Sequence, residues 1–175
     1  MEFSIKKGIE ILERTPDVLT ALLSNLSEDW INANEGENTW SPFDVIGHLI
    51  HGDKTDWMGR AYIILSDSVD KHFPAFDRFA QFEASKGKTI QQLLQAFKEV
   101  RTQNIAALRK LNLTAADLKK TGIHPAFGEV TLSQLLSTWA THDLDHIAQI
   151  SRVLAKQYKE AVGPWVEYLK IVRQS

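Results

Sequence analysis

Trp139-Ala-Thr-His142-Asp143-Leu-Asp145-His146-Ile-Ala-Gln149-Ile150 is the stretch on which the fold turns. Its apolar residues recur at helical spacing, and at ~3.6 residues per turn His142 and His146 fall one turn apart on a single face. Leu135, Trp139, Ile150 and Val153 continue that face, so the imidazoles point where the apolar side chains point. A buried polar ring needs partners, and a metal ion would serve both rings at once. Thr131-Leu-Ser-Gln134 is a capping-box pattern that launches this helix. The period carries it to about Tyr158, and Gly163-Pro164 stops it.

Working outward, Ser41-Pro42-Phe43-Asp44 reads as a second helix start, with a capping serine, proline at the first position and a carboxylate two residues on. The period there runs to about Leu65. Val45, Leu49, Gly52 and Ile63 mark one side, and Ile46, Ile50, Trp57 and Ile64 another, an apolar arc wide enough for burial between several neighbours. His48 lies beside Val45, Leu49 and Gly52, again on an inward stripe. Gly52 and Gly59 each weaken a helix by ~1 kcal/mol, and close approach by another helix or a ligand is the expected return. Thr89-Ile-Gln-Gln92 opens a third long helix through Leu93, Phe97, Val100, Asn104, Ala107, Leu108 and Leu111.

At the start of the chain, Ile5, Ile9 and Leu12 begin a helical period that Thr15-Pro16-Asp17 reads as interrupting. Val18, Leu19, Leu22, Leu23 and Leu26 carry the segment after it. Asn32 to Thr39 is a loop. Asp67 to Lys88 reads as a loop followed by a short helix ending near Gly87, Thr114 to Leu118 as a helical turn, and Gly122 to Gly128 as irregular. Trp165, Leu169 and Ile171 or Val172 form a short closing helix. No strand alternation and no repeat is visible, so the expected fold is all-α, a four-helix bundle, as one domain over residues 1–175.

Composition narrows the chemistry. A formal charge of −2 offers no footprint for nucleic acid. With no cysteine, disulfides, thiolate ligands and cysteine nucleophiles are excluded, and a metal must be held by nitrogen and oxygen. The first residues lack a long apolar run and no stretch is apolar enough to span a membrane, which makes the cytoplasm the expected compartment. Neither a glycine-rich phosphate loop nor a nucleophilic serine motif is present.

Of six histidines, His142 and His146 supply the pair, and a catalytic zinc site commonly takes three protein ligands and leaves one position open. His48, from the other long inward stripe, is the leading third ligand, and His51 is its rival. His142-Asp143-Leu-Asp145-His146 also differs from the zinc-peptidase pattern H-E-x-x-H only by aspartate for glutamate, with Glu167 downstream as an imaginable third ligand. The shorter aspartate and the lack of strands for a peptide substrate to line up on count against that reading. Asp143 and Asp145 are expected to orient the ligating histidines or to face solvent.

Trp40-Ser-Pro-Phe-Asp44-Val-Ile-Gly-His48-Leu and His142-Asp-Leu-Asp-His146-Ile-Ala-Gln-Ile-Ser-Arg152, in this order, resemble the DinB-like superfamily with its YfiT-type members. The resemblance extends to Gly163-Pro-Trp165-Val-Glu-Tyr168-Leu and so over nearly the whole chain. It implies a four-helix bundle, of up-down-down-up type, with a divalent metal, zinc or nickel in many members, on His48, His142 and His146. It also implies frequent homodimers, and activities that include S-transfer with low-molecular-weight thiols, hydrolysis and isomerisation.

The expected function is therefore a metal-dependent enzyme that acts on a small-molecule substrate by thiol S-transfer or hydrolysis. Three neutral imidazoles leave the ion its full charge to acidify a water or a thiol. For S-transfer the thiol must come from outside the chain. His72, Asp77, Arg78 and His124 lie in irregular segments that could border the pocket. The competing expectation is a non-catalytic metal-binding, stress-response or interaction protein whose site is structural or vestigial.

Overall fold

A computed structural model describes residues 2–173. Each long helix begins where the sequence supplies a side-chain oxygen for an orphaned backbone N–H. Helix α1 (Ile5–Leu23) starts at Ser4, whose hydroxyl accepts from Lys7 N. A short α2 (Glu28–Ile31) precedes the predicted loop, and α3 (Pro42–Thr55) opens at the Ser41 capping box, in which Asp44 reaches back to Ser41 N at 2.9 Å. Then follow α4 (Trp57–Leu65), α5 (Ala80–Ser85) and α6 (Ile90–Lys110), the last with the expected Thr89–Gln92 box. A hairpin of β1 (Thr121–His124) and β2 (Gly128–Thr131) leads into α7 (Leu132–Lys156) through the Thr131–Gln134 box. A 3-10 segment over Gly163–Tyr168 and α8 (Lys170–Arg173) close the chain.

Four sequence expectations need correction. Thr15-Pro16-Asp17 does not divide the first helical segment: α1 is continuous, with Pro16 buried inside it. Proline has no N–H to give the carbonyl four residues back, which orphans Leu12 O. Arg101 Nη1 donates to that oxygen at 2.9 Å, so a side chain from α6 replaces the missing backbone donor. The rod from Pro42 to Leu65 is broken at Asp56, with φ −112° and ψ −71°, into α3 and α4. The segment expected to be irregular is a hairpin, pairing Thr121 with Thr131 and His124 with Gly128; its strands are too short to show alternation in sequence. Lastly, a Cβ on Gly52 would meet the Trp57 indole at 3.3 Å, a close approach from its own rod, whereas nothing lies within 4 Å of one on Gly59.

The fold is a four-helix bundle with little strand. Both α1 and α3 pack against α6 and α7, so α1 stands opposite α3 and α6 opposite α7. The core falls into two halves. Leu12, Trp57, Ile64, Ile105, Leu108, Leu135 and Trp139 fill one, and Leu19, Leu23, Leu49, Phe97, Leu93 and Ile150 fill the other. Between them runs a polar layer: Thr15 on α1, Asp53 on α3, Arg101 on α6, Asp143 and His146 on α7, all buried. The functional side chains sit at this level.

Candidate metal centre

His48 and His146 are buried and His142 partly so, and their Nε2 atoms converge. His142 Nε2 lies 3.1 Å from His48 Nε2 and 3.1 Å from His146 Nε2, and one donor atom from each ring falls within 4.8 Å of the others. The positions follow from helix geometry: the one-turn spacing on α7 sets two rings edge to face at 4.3 Å, and α3, which packs on α7, brings the third across.

Burial depresses the pKa of all three rings. His48 is lowered to about 3 by desolvation, then by repulsion from His146, His51 and Arg78. His142 is lowered to about 3 by desolvation, then by His146, His48 and Arg101. His146 is lowered as well, chiefly by burial, against a hydrogen bond to Gln149 that opposes the shift. The rings are thus neutral at neutral pH, the form that ligates a metal. Gln149 Oε1, which can only accept, lies 2.7 Å from His146 Nδ1, so Nδ1–H donates to it and Nε2 keeps its lone pair for the centre.

The donor set fits a divalent ion. With Nδ1–H of His146 bonded to Gln149, its Nε2 lone pair faces the centre; Nδ1 of His48 and of His142 is buried without a partner, and the single proton or lone pair on His142 Nε2 cannot satisfy both of its 3.1 Å contacts. Two nitrogens 3.1 Å apart suit a shared ion with bonds of ~2.0–2.1 Å. An all-imidazole set admits zinc, nickel and other first-row ions.

Beneath the histidines lies the buried ion network. Arg101 uses all five guanidinium donors: Nε to Asp53 Oδ2 at 2.7 Å, Nη2 to Asp53 Oδ1 and to Asp143 Oδ1 at 3.0 Å each, Nη1 to Leu12 O, and Nη1 to Asp143 Oδ2. Trp139 Nε1 adds a bond to Asp53 Oδ1 at 3.1 Å. Burial opposes the charge on Arg101, but the two carboxylates outweigh it and raise its pKa, so it stays ionised.

Above the histidines opens a cleft of about 580 Å³, within the usual range for small-molecule sites. Its walls are aromatic. The Trp40 ring stacks on His146 at 6.4 Å, Trp57 meets His142 edge-on at 5.1 Å, and Phe76 meets His48 edge-on at 5.6 Å. The hairpin tip carries Phe127, stacked on His124 at 4.5 Å.

The structure thus assembles His48, His142 and His146 and leaves other candidates elsewhere. His51 packs against Phe76 with ring centroids 4.9 Å apart and planes tilted by 46°, and stands outside the cluster. Glu167 is exposed in the C-terminal 3-10 segment, and the third imidazole comes from His48, so the peptidase-like arrangement is absent. Asp143 does not orient a histidine: it is fully buried and pairs with Arg101, while Asp145 faces solvent. Arg78 and His124 line the cleft; His72 pairs with Asp70, and Asp77 receives Phe79 N at 3.0 Å ahead of α5. Sequence reasoning missed Arg60, Asp53, Arg101 and Gln149. A signal existed for two of them: Asp53 follows Leu49, and Arg101 follows Phe97, at i+4 on a buried stripe.

Comparison with known proteins bears on this arrangement. The family model of the DinB superfamily matches residues 11–150. YfiT from Bacillus subtilis, described as a probable metal-dependent hydrolase with an unusual four-helix bundle topology, superposes with a TM-score of 0.74 at 21% identity, covering 89% of this chain and 90% of that one. A DinB-like protein from Bacillus cereus superposes with a TM-score of 0.57 at 16% identity, covering 90% of this chain and 95% of that one. No curated protein matches. These structural likenesses are of fold.

Proposed function

Because the chain belongs to the DinB superfamily, we propose that it is a metal-dependent hydrolase of a small molecule, with a divalent ion on His48, His142 and His146. The observation that carries this reading is the convergence of three neutral imidazoles through Nε2 at the floor of a small-molecule cleft. The description of YfiT as a probable metal-dependent hydrolase supports it. A divalent ion held there supplies Lewis acidity, which activates water and polarises the bond to be cleaved. The protein contributes the rest. Gln149 fixes the His146 tautomer, Trp40 and Phe76 shield the rings from bulk water, and the ion network below holds α7 against α3 and α6. Zinc and nickel are the leading ions. Thiol S-transfer is the second reaction open to the same site, and the chain's lack of cysteine makes it depend on an added thiol.

The test begins with protein purified without chelator. Metal analysis should find about one divalent ion per chain, lost in His142→Ala, as expected for a single three-ligand site. Hydrolysis across a panel of small esters, amides and lactones should stop on chelation and return with zinc or nickel. Turnover only with added low-molecular-weight thiol would move the assignment to S-transfer. Failure to bind either ion at micromolar concentration would refute the metal centre.

A further inference from the structure

Three arginines of the described residues are drawn into the fold, and two are held bidentately by carboxylates. Arg101 spends all five donors on two carboxylates and a carbonyl. Arg152 grips Glu35 with Nε and Nη2 at 2.8 Å each. Arg60 is different. Only 7% exposed, it has one ionic neighbour, Asp56, whose Oδ1 lies 2.6 Å from Nε at an angle that makes no hydrogen bond. Its Nη1 and Nη2 have no partner among the described residues. Burial opposes the charge on this guanidinium more than Asp56 restores it. The plane is held over the Phe73 ring at 5.2 Å, which fixes where the outer edge of the fork points.

That edge belongs to the cleft over the histidines, which Arg60 lines together with Asp56 and Arg78. Arg78 is exposed, lines the same cleft with Phe76, and makes no ion pair among the described residues. It lies near enough to His48 for its charge to act on that ring. Two guanidinia and one carboxylate leave the cleft positive before any metal is counted. Its buried Nε lacks a hydrogen bond while Nη1 and Nη2 of Arg60, unfilled by any acceptor among the described residues, are left to the cleft that Arg60 lines, and a planar pair of N–H donors matches a carboxylate or phosphonate edge. The remaining walls, Trp57, Phe76 and Phe127, suit a flat apolar body.

The geometry points to a small organic oxyanion, an acidic group on an aromatic or apolar body, as the molecule this cleft takes, with Arg60 and Arg78 as its anion-binding residues. The inference deepens the hydrolase reading by naming a substrate class. Arg60 and Arg78 hold the acidic end, which leaves the opposite end of the molecule over the three histidines. Asp56 keeps Arg60 in place.

Benzoate, phenylphosphonate and the uncharged benzamide are suitable probes, titrated by NMR into the protein as purified and after chelator treatment. In both states the two anions should bind about tenfold more tightly than benzamide, and Arg60→Met should remove that preference while leaving benzamide affinity unchanged. Equal affinity for anion and amide in the wild type would overturn the inference. So would an anion preference seen only with metal present and indifferent to Arg60→Met, which would make the ion the anchor. A preference that persists in metal-free protein and depends on Arg60 sustains the anion site even if the hydrolase reading fails. Should Arg60→Met not fold, Arg78→Gln on an exposed side chain decides: about a threefold loss of benzoate affinity is expected, and no loss refutes the assignment.

Discussion

Replacing Arg101 with methionine tests the centre of the bundle. The substitution keeps a long unbranched side chain but removes the partner of two fully buried carboxylates and the donor that completes α1 at Leu12 O. Breaking a buried ion pair from one side costs about 3–5 kcal/mol, because the surviving charge is left uncompensated. Leaving the Leu12 carbonyl without a donor adds about 1–2 kcal/mol. The expected loss of about 4–7 kcal/mol rivals the whole stability of an ordinary domain, about 5–15 kcal/mol. Urea unfolding followed by circular dichroism reads it directly, as a midpoint lowered by about 2–3.5 M at a slope of about 2 kcal/mol per molar. The deficit should narrow on acidification. Burial already pushes the Asp53 carboxyl up, and once Arg101 no longer opposes it the folded variant takes up protons that the unfolded chain does not, so stability is regained as pH falls. Pro16→Ala restores a backbone donor for Leu12 O and should recover about 1 kcal/mol more in the Arg101→Met background than in the wild type. A loss below about 1.5 kcal/mol at pH 7, or no coupling between the two positions, would refute the account of the ion network.

Three further outcomes follow from named contacts. Gln149→Leu removes the acceptor that orients His146 and should weaken zinc affinity about 10–100-fold in competition with a chromophoric chelator, whereas Gln149→Glu retains an acceptor and should lose less. Glu35 bonds to Arg152, is partly desolvated and also pairs with Lys156; the net effect lowers its pKa from 4.5 to about 2. A carboxylate with a depressed pKa stabilises the fold above its unfolded pKa and loses that effect as pH falls. Glu35→Gln should therefore cost about 1 kcal/mol at pH 7, after allowing for solvent screening, and match the wild type near pH 2. A Cβ on Gly122 would lie 2.5 Å from Phe73 Cε1 and 2.9 Å from Ile64 Cγ1. Gly122→Ala should lower thermal stability by about 1–3 kcal/mol and, by displacing the hairpin that carries Phe127, raise KM more than it changes kcat.

Helix starts were legible in the sequence because capping is local chemistry. Ser41 with Asp44, Thr89 with Gln92 and Thr131 with Gln134 lie within four residues of one another, and each box forms. The histidine pair was legible for the same reason, and His48 because its stripe marked it as inward. What escaped depends on distant partners. Pro16 reads as a helix break until Arg101, far along the chain, supplies the donor. Asp143 reads as an accessory to its histidine neighbour, yet a helix turns ~100° per residue, so Asp143 faces α6 while His142 faces α3. On α6 the apolar stripe chosen from sequence ran through Val100 and Asn104, whereas the buried face runs through Phe97, Arg101, Ile105 and Leu108. An arginine in the middle of that second stripe is the feature that would have revealed the network.

The chain divides its labour between two kinds of backbone. His48, His142 and His146 stand on helices locked by capping boxes and by the buried arginine, whereas Phe76, Arg78, His124 and Phe127 hang from the connections before α5 and between α6 and α7. Connections accept insertion and replacement far more readily than packed helices do. The centre and the rim of the cleft can therefore be inherited separately. A lineage can reshape the outer part of the cleft by rewriting those connections, with the three imidazoles, Arg60 on its helix and the layer beneath them carried forward unchanged.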